Sequence, residues 1–215
     1  DQSIKPAMPI DLVDIWMVNP MPKLMWESRQ IKFNIKQSFR EMSYRSAPDS
    51  SGDYVLLSGY NGAYRNPYHT FDILELRLNG STLLKGYHNQ VLTSADGMVE
   101  PKAAMDAALL YHGVVGQMAV AIGEVADLPF VNWRRSVALR KGRYVLIADD
   151  LGFRYNSENF LAETSWEMPD ATWMPEYNLV KMRPWETPLI TYELHSSELM
   201  EVKSGRVTTM SWRGS

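Results

Sequence analysis

Residues 71–84, FDILELRLNGSTLL, decide the fold that this sequence predicts. From Phe71 to Leu78 the residues at odd positions oppose those at even positions, a period of two that is typical of a β-strand. Asn79-Gly80 follows and favours a two-residue hairpin turn, because both positions tolerate positive φ. Ser81–Leu84 then forms the returning strand, so the stretch predicts an antiparallel hairpin.

Further strand candidates lie on both sides of this hairpin, and glycine turns bound most of them. They are residues 31–35, 53–60, 91–93, 114–125, 131–140, 143–148, 189–194 and the two segments that flank Ser204-Gly205. Many short strands separated by glycine turns favour an all-β fold, an antiparallel β-sandwich. Residues 102–110 also have helical propensity, so one short helix remains an alternative there.

The first 30 residues differ in composition from the rest. Four prolines, at positions 6, 9, 20 and 22, interrupt any long periodic pattern. We expect residues 1–30 to be an irregular lead-in, either packed on the domain or linking it to a missing upstream domain. Residues 31–215 form the β-sandwich domain.

Composition excludes several classes of protein. The chain has 215 residues, 22 basic and 25 acidic side chains and a net charge of −3, which gives no general attraction to nucleic acid. It has no cysteine, so disulfides and thiolate metal sites are excluded. No apolar run is long enough to predict a membrane span. Nucleotide-binding loops, serine-hydrolase elbows and zinc-protease motifs are absent from the sequence.

Several short motifs follow one another between residues 54 and 151. They are His69 with Asp72, Asn79-Gly80, Leu83-Leu84, His88-Asn89, Trp133-Arg134-Arg135, Lys141-Gly142 and Val145–Asp149. Their order and spacing resemble the β-sandwich domain of the heparinase II/III-like polysaccharide lyases. The match covers somewhat less than half of the chain.

This resemblance implies a function. Members of the family pair an α/α-toroid domain with an antiparallel β-sandwich and cleave uronic-acid polysaccharides by β-elimination in the cleft between the two. The toroid carries a catalytic tyrosine, and the sandwich contributes a histidine near the position of His69. Residues 1–30 are too few to form the toroid, so we expect it to be a missing part of the same parent protein.

Some family members bind a metal in the sandwich, but this sequence departs from their pattern. Lys85-Gly86-Tyr87 stands where the metal-binding aspartate would follow the leucine pair. We therefore predict neither a metal nor another cofactor, with a divalent metal as the open alternative.

The segment Tyr64-Arg65-Asn66-Pro67-Tyr68-His69 contains the side chains that a uronate lyase needs. Such an enzyme must neutralise the carboxylate, supply a base for the proton at C5 and supply an acid for the leaving oxygen. We predict catalytic roles for His69, Tyr68 and Arg65 and substrate contacts for Tyr64 and Asn66. The alternative is an ordinary polar surface loop before a strand.

Three other residues are candidates for substrate binding: His88, Arg134 and Trp173. Each has a structural alternative, namely a hydrogen-bonded histidine, an ion pair, and an aromatic that pins a long loop. Adjacent residues on a strand face opposite ways, so one of Arg134 and Arg135 would reach an anionic sugar while the other pairs with an acid or lies in solvent. Asp72 would either orient an imidazole or lie solvated on its strand.

Three functions compete. The first is the sandwich of a polysaccharide lyase acting on an acidic polysaccharide such as alginate, a heparan-type or a chondroitin-type chain, and we expect it to be inactive alone. The second is a non-catalytic carbohydrate-binding domain, and the third is a structural sandwich that docks on a partner domain. The chain begins at Asp1 rather than at Met, which suits a mature secreted chain or a piece of a longer protein, and we expect a secreted or periplasmic location.

Overall fold

Antiparallel β-strands make up about 70% of the residues that the structure describes. The structure, a computed structural model, describes residues 15–21, 35–59, 70–86, 89–99, 106–125, 128–154, 159–168, 171–177, 179–182, 192–195, 200–203 and 208–214. Within these ranges there are two short 3-10 helices, at Ile35–Gln37 and Pro175–Tyr177, and no α-helix. The prediction of an all-β fold is confirmed.

The strands are numbered in chain order. They are β1 (Ile15–Pro20), β2 (Phe39–Arg45), β3 (Tyr54–Ser58), β4 (Ile73–Leu78), β5 (Ser81–Lys85), β6 (Val91–Ala95), β7 (Met98–Val99), β8 (Ala108–Val115), β9 (Met118–Val125), β10 (Val131–Arg140), β11 (Tyr144–Phe153), β12 (Phe160–Met168), β13 (Ala171–Met174), β14 (Leu179–Met182), β15 (Tyr192–His195), β16 (Met200–Lys203) and β17 (Thr208–Gly214).

These strands form four antiparallel sheets. The N-terminal sheet has the order β1-β2-β3-β4-β5, and the central sheet has the order β11-β10-β9-β8. The C-terminal sheet has the order β16-β17-β12-β6-β7, and a small sheet contains β13-β14-β15. Neighbours in sequence are mostly neighbours in the sheet, as short hairpin turns require.

The N-terminal and central sheets face each other across a shared core. A small cavity between them is lined by Trp16, Met42, Tyr44 and Val55 from the first and by Ala119, Ala121, Val137 and Leu139 from the second. Along β10, Val131, Trp133, Arg135, Val137 and Leu139 are all buried, while the residues between them are partly or fully exposed. This alternation places one face of the strand in the core of a sandwich.

Asp53 ties the two facing sheets together at one end. It is 2% exposed, and its carboxylate accepts hydrogen bonds from the backbone N–H of Asn79 at 2.8 Å and of Gly142 at 2.6 Å. The first of these residues lies in the β4–β5 turn and the second in the β10–β11 turn. One side chain therefore satisfies donors in hairpins of both sheets.

The opening hairpin is confirmed, but its strict alternation is wrong. The register of β4 shifts against β3, so that Leu56 pairs with Glu75 and Leu57 with Ile73. Leu74 is the extra residue of this bulge, which turns the strand so that the inward side chains change from Ile73 to Leu76 and Leu78.

Three other local predictions also need correction. Residues 15–20 of the predicted lead-in are not irregular, since β1 pairs with β2. The helical alternative fails from residue 108 onward, where β8 begins, and residues 102–105 lie outside the described ranges. The single strand predicted over 114–125 is a hairpin of β8 and β9, because Gly116 adopts a φ of +62° and reverses the chain. The boundary near residue 30 stays a prediction.

Candidate functional site

Most of the predicted site residues lie outside the described ranges. This is true of Tyr64, Arg65, Asn66, Tyr68, His69 and His88. The structure does describe the residues that follow the two histidines in the chain, Thr70–Ile73 and Asn89-Gln90. The surroundings of these two segments show how the sandwich supports the region of the predicted site.

The segment after His69 is deeply buried. Thr70, Phe71 and Asp72 are 0%, 1% and 0% exposed. The solvated alternative for Asp72 is therefore wrong. The backbone N–H of Asp72 donates to Ser58 Oγ at 3.1 Å, and the backbone N–H of Ser58 donates to Asp72 O at 3.0 Å.

Three successive residues are buried together because Phe71 has an unusual backbone. Its φ is +66°, a left-handed conformation that a bulky residue rarely adopts. The Phe71 ring lies against the backbone of Gly123, where a Cβ would be only 2.4 Å from Phe71 Cζ. It also meets the Trp133 ring edge-on, with the centroids 5.2 Å apart. Such strain persists only where the surroundings fix the residue.

Asn89 joins the segment after His88 to the segment after His69. Its side-chain Oδ1 accepts from Ile73 N and its Nδ2 donates to Ile73 O, both at 2.8 Å. Next to it, Gln90 Nε2 donates to Thr70 O at 3.2 Å. Side-chain amides thus provide a hydrogen-bonded bridge between two stretches that are not paired as strands.

Arg135 lies beneath this bridge and uses all five of its N–H donors. Nε and Nη2 donate to the two carboxylate oxygens of Asp149 at 2.7 and 2.9 Å. Nη1 donates to Asn89 Oδ1 at 2.9 Å and to Phe71 O at 3.1 Å, and the second Nη2 proton goes to Asn89 O at 2.7 Å. A buried guanidinium with every donor satisfied is a stable arrangement, since no polar group loses its water without a replacement.

Aromatic side chains complete the environment of this ion pair. Trp133 Nε1 donates to Asp149 Oδ1 at 2.8 Å. The guanidinium carbon of Arg135 lies 4.8 Å from the Trp133 ring centre and 5.3 Å from that of Trp166. From the C-terminal sheet, Thr164 Oγ1 donates to Asn89 O at 3.1 Å. We call Arg135, Asp149 and Asn89 with these partners the Arg135 network.

The hydroxyl of Thr70 stands out beside this network. Thr70 Oγ1 is buried and has no hydrogen-bond partner within the part of the chain that the structure describes. Burying a hydroxyl without a hydrogen-bond partner costs free energy, so the burial of Thr70 directly after His69 needs an explanation.

Arg134 faces away from the Arg135 network. It is exposed on the outer face of the central sheet, and its Nη2 lies 2.8 Å from Glu124 Oε2 across β9. This carboxylate raises the pKa of Arg134 above its ordinary value through a hydrogen bond and charge attraction. The ion-pair alternative is therefore present. A substrate role for Arg134 stays a prediction, and it would concern a surface on the other side of the sheet.

The remaining candidates are separated from this region in different ways. Trp173 lies in β13 opposite Val180, and its side chain is outside what the structure describes. Trp166 belongs to the core at 5% exposure. His112 is exposed on β8, with its ring 5.5 Å from that of Trp16. Among the described residues no group of three or more His, Asp or Glu side chains is arranged to hold a metal.

Sequence reasoning did not identify the Arg135 network. From the sequence, Arg135 was expected to reach an anionic sugar, to pair with an acid or to lie in solvent. Asn89 was recognised only as part of the His88-Asn89 motif, and no partner was predicted for it. The sequence did contain an indication, because β10 and β11 form a hairpin around Gly142 that places Arg135 opposite Asp149. Counting back from the turn pairs the two residues. The link from Arg135 to Phe71 and Asn89 depends on a second sheet and was not accessible from spacing.

Comparison with solved structures shows the fold that this chain shares. It matches a heparinase III gene product with a TM-score of 0.62 at 12% identity, covering 81% of this chain and 32% of that one. It matches the heparan sulfate lyase HepC of Pedobacter heparinus with a TM-score of 0.61 at 11% identity, covering 86% and 34%. Another heparinase III structure gives a TM-score of 0.61 at 12% identity, covering 81% and 33%.

The resemblance is therefore confirmed at the level of the fold. The chain spans about a third of the length of each of these heparinase structures. No protein-family model and no curated protein sequence matches this chain. Within the described residues no helix has the length and apolarity needed to cross a membrane.

Proposed function

We propose that this chain is the β-sandwich domain of a polysaccharide lyase and contributes to the β-elimination of a uronic-acid polysaccharide. The shared fold with heparinase III and the heparan sulfate lyase HepC carries the proposal. The order of motifs from His69 to Asp149 also supports it.

The proposed chemistry has three parts. A base removes the proton at C5 of the uronate, the electron pair forms the C4–C5 double bond, and the C4–O bond breaks as the leaving oxygen receives a proton. The C5 proton becomes removable when a positive or hydrogen-bonding group neutralises the adjacent carboxylate. We assign Arg65 to the carboxylate and His69 and Tyr68 to proton transfer, with Tyr64, Asn66 and His88 in contact with the substrate.

The rest of the active site belongs to another domain in this proposal. Because the chain spans about a third of the heparinase structures, the groups that it lacks would come from a toroid domain of the same parent protein. The expected location is outside the cytoplasm, where large acidic polysaccharides are met. No metal is required by the residues that we assign.

A binding screen tests the proposal on the chain itself. Heparan sulfate, chondroitin sulfate, alginate and a neutral dextran are titrated into the wild-type protein and into His69→Ala. The matched control is His112→Ala, which removes an exposed imidazole from β8. We expect one uronate polysaccharide to bind, His69→Ala to weaken binding and His112→Ala to leave it unchanged. Added salt should weaken the binding, because exposed charges are screened.

Elimination is then tested on the parent protein with its upstream domain. The unsaturated product absorbs ultraviolet light, so its release is followed directly, and His69→Ala should abolish it. If the parent protein releases no unsaturated product from any uronate polysaccharide, the lyase proposal is wrong. Glycan binding that survives His69→Ala but is lost in Trp173→Ala would favour the non-catalytic carbohydrate-binding function instead.

A further inference from the structure

The Arg135 network connects two chain segments that are far apart in sequence. Arg135 donates to Phe71 O and to both oxygens of Asn89, which are 64 and 46 residues away. These acceptors stand two residues after His69 and one residue after His88. One side chain therefore fixes the distance between Phe71 and Asn89, the buried residues that follow the two predicted site segments.

Burying an ion pair in a core costs the free energy of removing both charges from water. Apolar residues of similar volume often stabilise a fold as well or better than a buried ion pair does. Arg135 has a side chain that is 0% exposed, and its partner Asp149 is 6% exposed. The observation calls for a role beyond packing, and the partners of the guanidinium indicate which one.

The geometry of the donors gives that role. A guanidinium is planar and directs five N–H groups in fixed directions, which a lysine ammonium does not. Asp149 takes two of the bonds and fixes the orientation of the plane, while the other three hold the backbone at Phe71 and the amide and backbone of Asn89. The strained φ of +66° at Phe71 lies at one of these contacts.

We propose that Arg135 is a positioning residue for the lyase site: through Phe71 and Asn89 it sets the positions from which His69 and His88 reach the substrate. This inference rests on the proposed function. It assigns no substrate contact to Arg135, whose donors are all used within the protein.

The test uses the folded chain and two readouts. The variant Arg135→Lys keeps the positive charge but loses the planar fork. The second variant, Asp149→Asn, keeps an acceptor for Arg135 Nε but replaces the oxygen that binds Nη2 with an amide group. The control is Arg140→Lys on the same strand, whose Nη2 bonds only Gln117 Oε1 among the contacts described, at 2.7 Å.

The first readout is the set of histidine ring signals in the nuclear magnetic resonance spectrum. The chain has four histidines, so His112 and His195 serve as internal references. We expect folded Arg135→Lys to shift the His69 and His88 signals and to leave the other two in place. A shift of these signals reports that the two rings move, and the second readout decides whether their position matters for the site.

The second readout is the affinity for heparan sulfate or whichever uronate polysaccharide the wild type binds. A displaced histidine loses its contact with the anionic chain, and one charge-assisted contact corresponds to about a tenfold change in Kd, so we expect Arg135→Lys to weaken binding by about tenfold. Arg140→Lys should change neither readout. If Arg135→Lys does not fold, Asp149→Asn decides in the same way, because it releases the guanidinium plane that Asp149 orients.

The outcomes separate the two proposals. Unchanged His69 and His88 signals in the folded variant overturn the positioning role, and so does unchanged affinity where the wild type binds. If the wild type binds no uronate polysaccharide and the parent protein shows no elimination, the proposed function fails. The ring signals then still decide whether Arg135 positions the two histidines.

Discussion

Arg134 and Arg135 show how position decides the role of identical residues. The two neighbours lie on opposite faces of β10, one exposed beside Glu124 and the other buried against Asp149. Both side chains are attracted to a carboxylate by Coulomb forces, but only Arg135 is removed completely from water. An exposed pair exchanges water for a partner at little gain, whereas a buried pair leaves an uncompensated charge when it is broken.

The two pairs therefore predict different costs for removing a carboxylate. Asp149→Ala should lower the free energy of unfolding by about 3–5 kcal/mol, because Arg135 is left charged in the core. Glu124→Ala, the matched change beside Arg134, should cost at most about 1 kcal/mol. Urea unfolding of both variants measures the difference. Equal losses would mean that Arg135 is better hydrated than its burial indicates.

A second residue-scale prediction concerns the contact of Gly123 with Phe71. Gly123→Ala places a methyl group 2.4 Å from Phe71 Cζ, so the ring or the strand must move. We expect a loss of about 1–3 kcal/mol, typical of overpacking. Gly152→Ala is the control, since its added carbon would meet Asn132 Cβ at 3.7 Å in ordinary contact. Thermal unfolding that shows the same loss for both would contradict the close fit at Phe71.

Hairpins are the element at which this sequence is most informative. The turns at Asn79-Gly80 and Asp96-Gly97 have positive φ at both positions, as their residue types predict. The hairpin of β10 and β11 around Gly142 was predictable for the same reason, since a glycine turn between two apolar runs is a local feature. Bulges were not, because the extra residue Leu74 reflects pairing with a neighbouring strand rather than any local preference.

The candidate site divides in the same way. Residue types and their order suggested His69, Tyr68 and Arg65, because side chains that suit a reaction can be recognised in a short segment. The Arg135 network was not predicted, since Arg135 reaches Asn89 across 46 residues and Thr164 reaches it across 75. Such contacts depend on how three sheets meet, and no spacing in the sequence records that.

The two type I′ turns give a prediction at the scale of the element. Gly80→Ala and Gly97→Ala both force alanine into positive φ, which costs about 1–2 kcal/mol per residue. Gly80 also lies close to the β2–β3 loop, where a Cβ would be 3.1 Å from Ser50 O, whereas Gly97 has open space. Gly80→Ala should therefore be the more destabilising in urea titration. The reverse order would show that the β4–β5 turn does not pack on that loop.

At the scale of the whole molecule, stability depends on how the facing sheets are joined. The Arg135 network joins them in the middle and Asp53 joins them at the end with the two hairpin turns. Both devices satisfy buried polar groups across the core, which fixes the sheets relative to each other more strictly than apolar contact alone.

The N–H groups of Asn79 and Gly142 both donate to Asp53, and we call this pair of hydrogen bonds the Asp53 clasp. It can be tested by comparing Asp53 with Asp49, an aspartate of the same loop. Asp53→Ala removes the acceptor of the Asn79 and Gly142 N–H groups, and a lost hydrogen bond to a charged group costs about 1.5–3 kcal/mol. Asp49→Ala removes an exposed carboxylate that bonds Ser51, and we expect little change in stability. The denaturant midpoints of the two variants are compared. A similar small decrease for both would show that Asp53 does not help to hold the two sheets together.

The same clasp has a consequence for the way in which the chain is made. Asp53 and Gly142 are separated by 89 residues, so during synthesis the first sheet leaves the ribosome well before the hairpin that will cover it. Contacts of such long range form slowly, because the intervening chain must be closed first. The inner face of the first sheet is thus open to solvent for the time needed to translate the rest. Nascent chains that end between these two positions are the forms on which a chaperone would act.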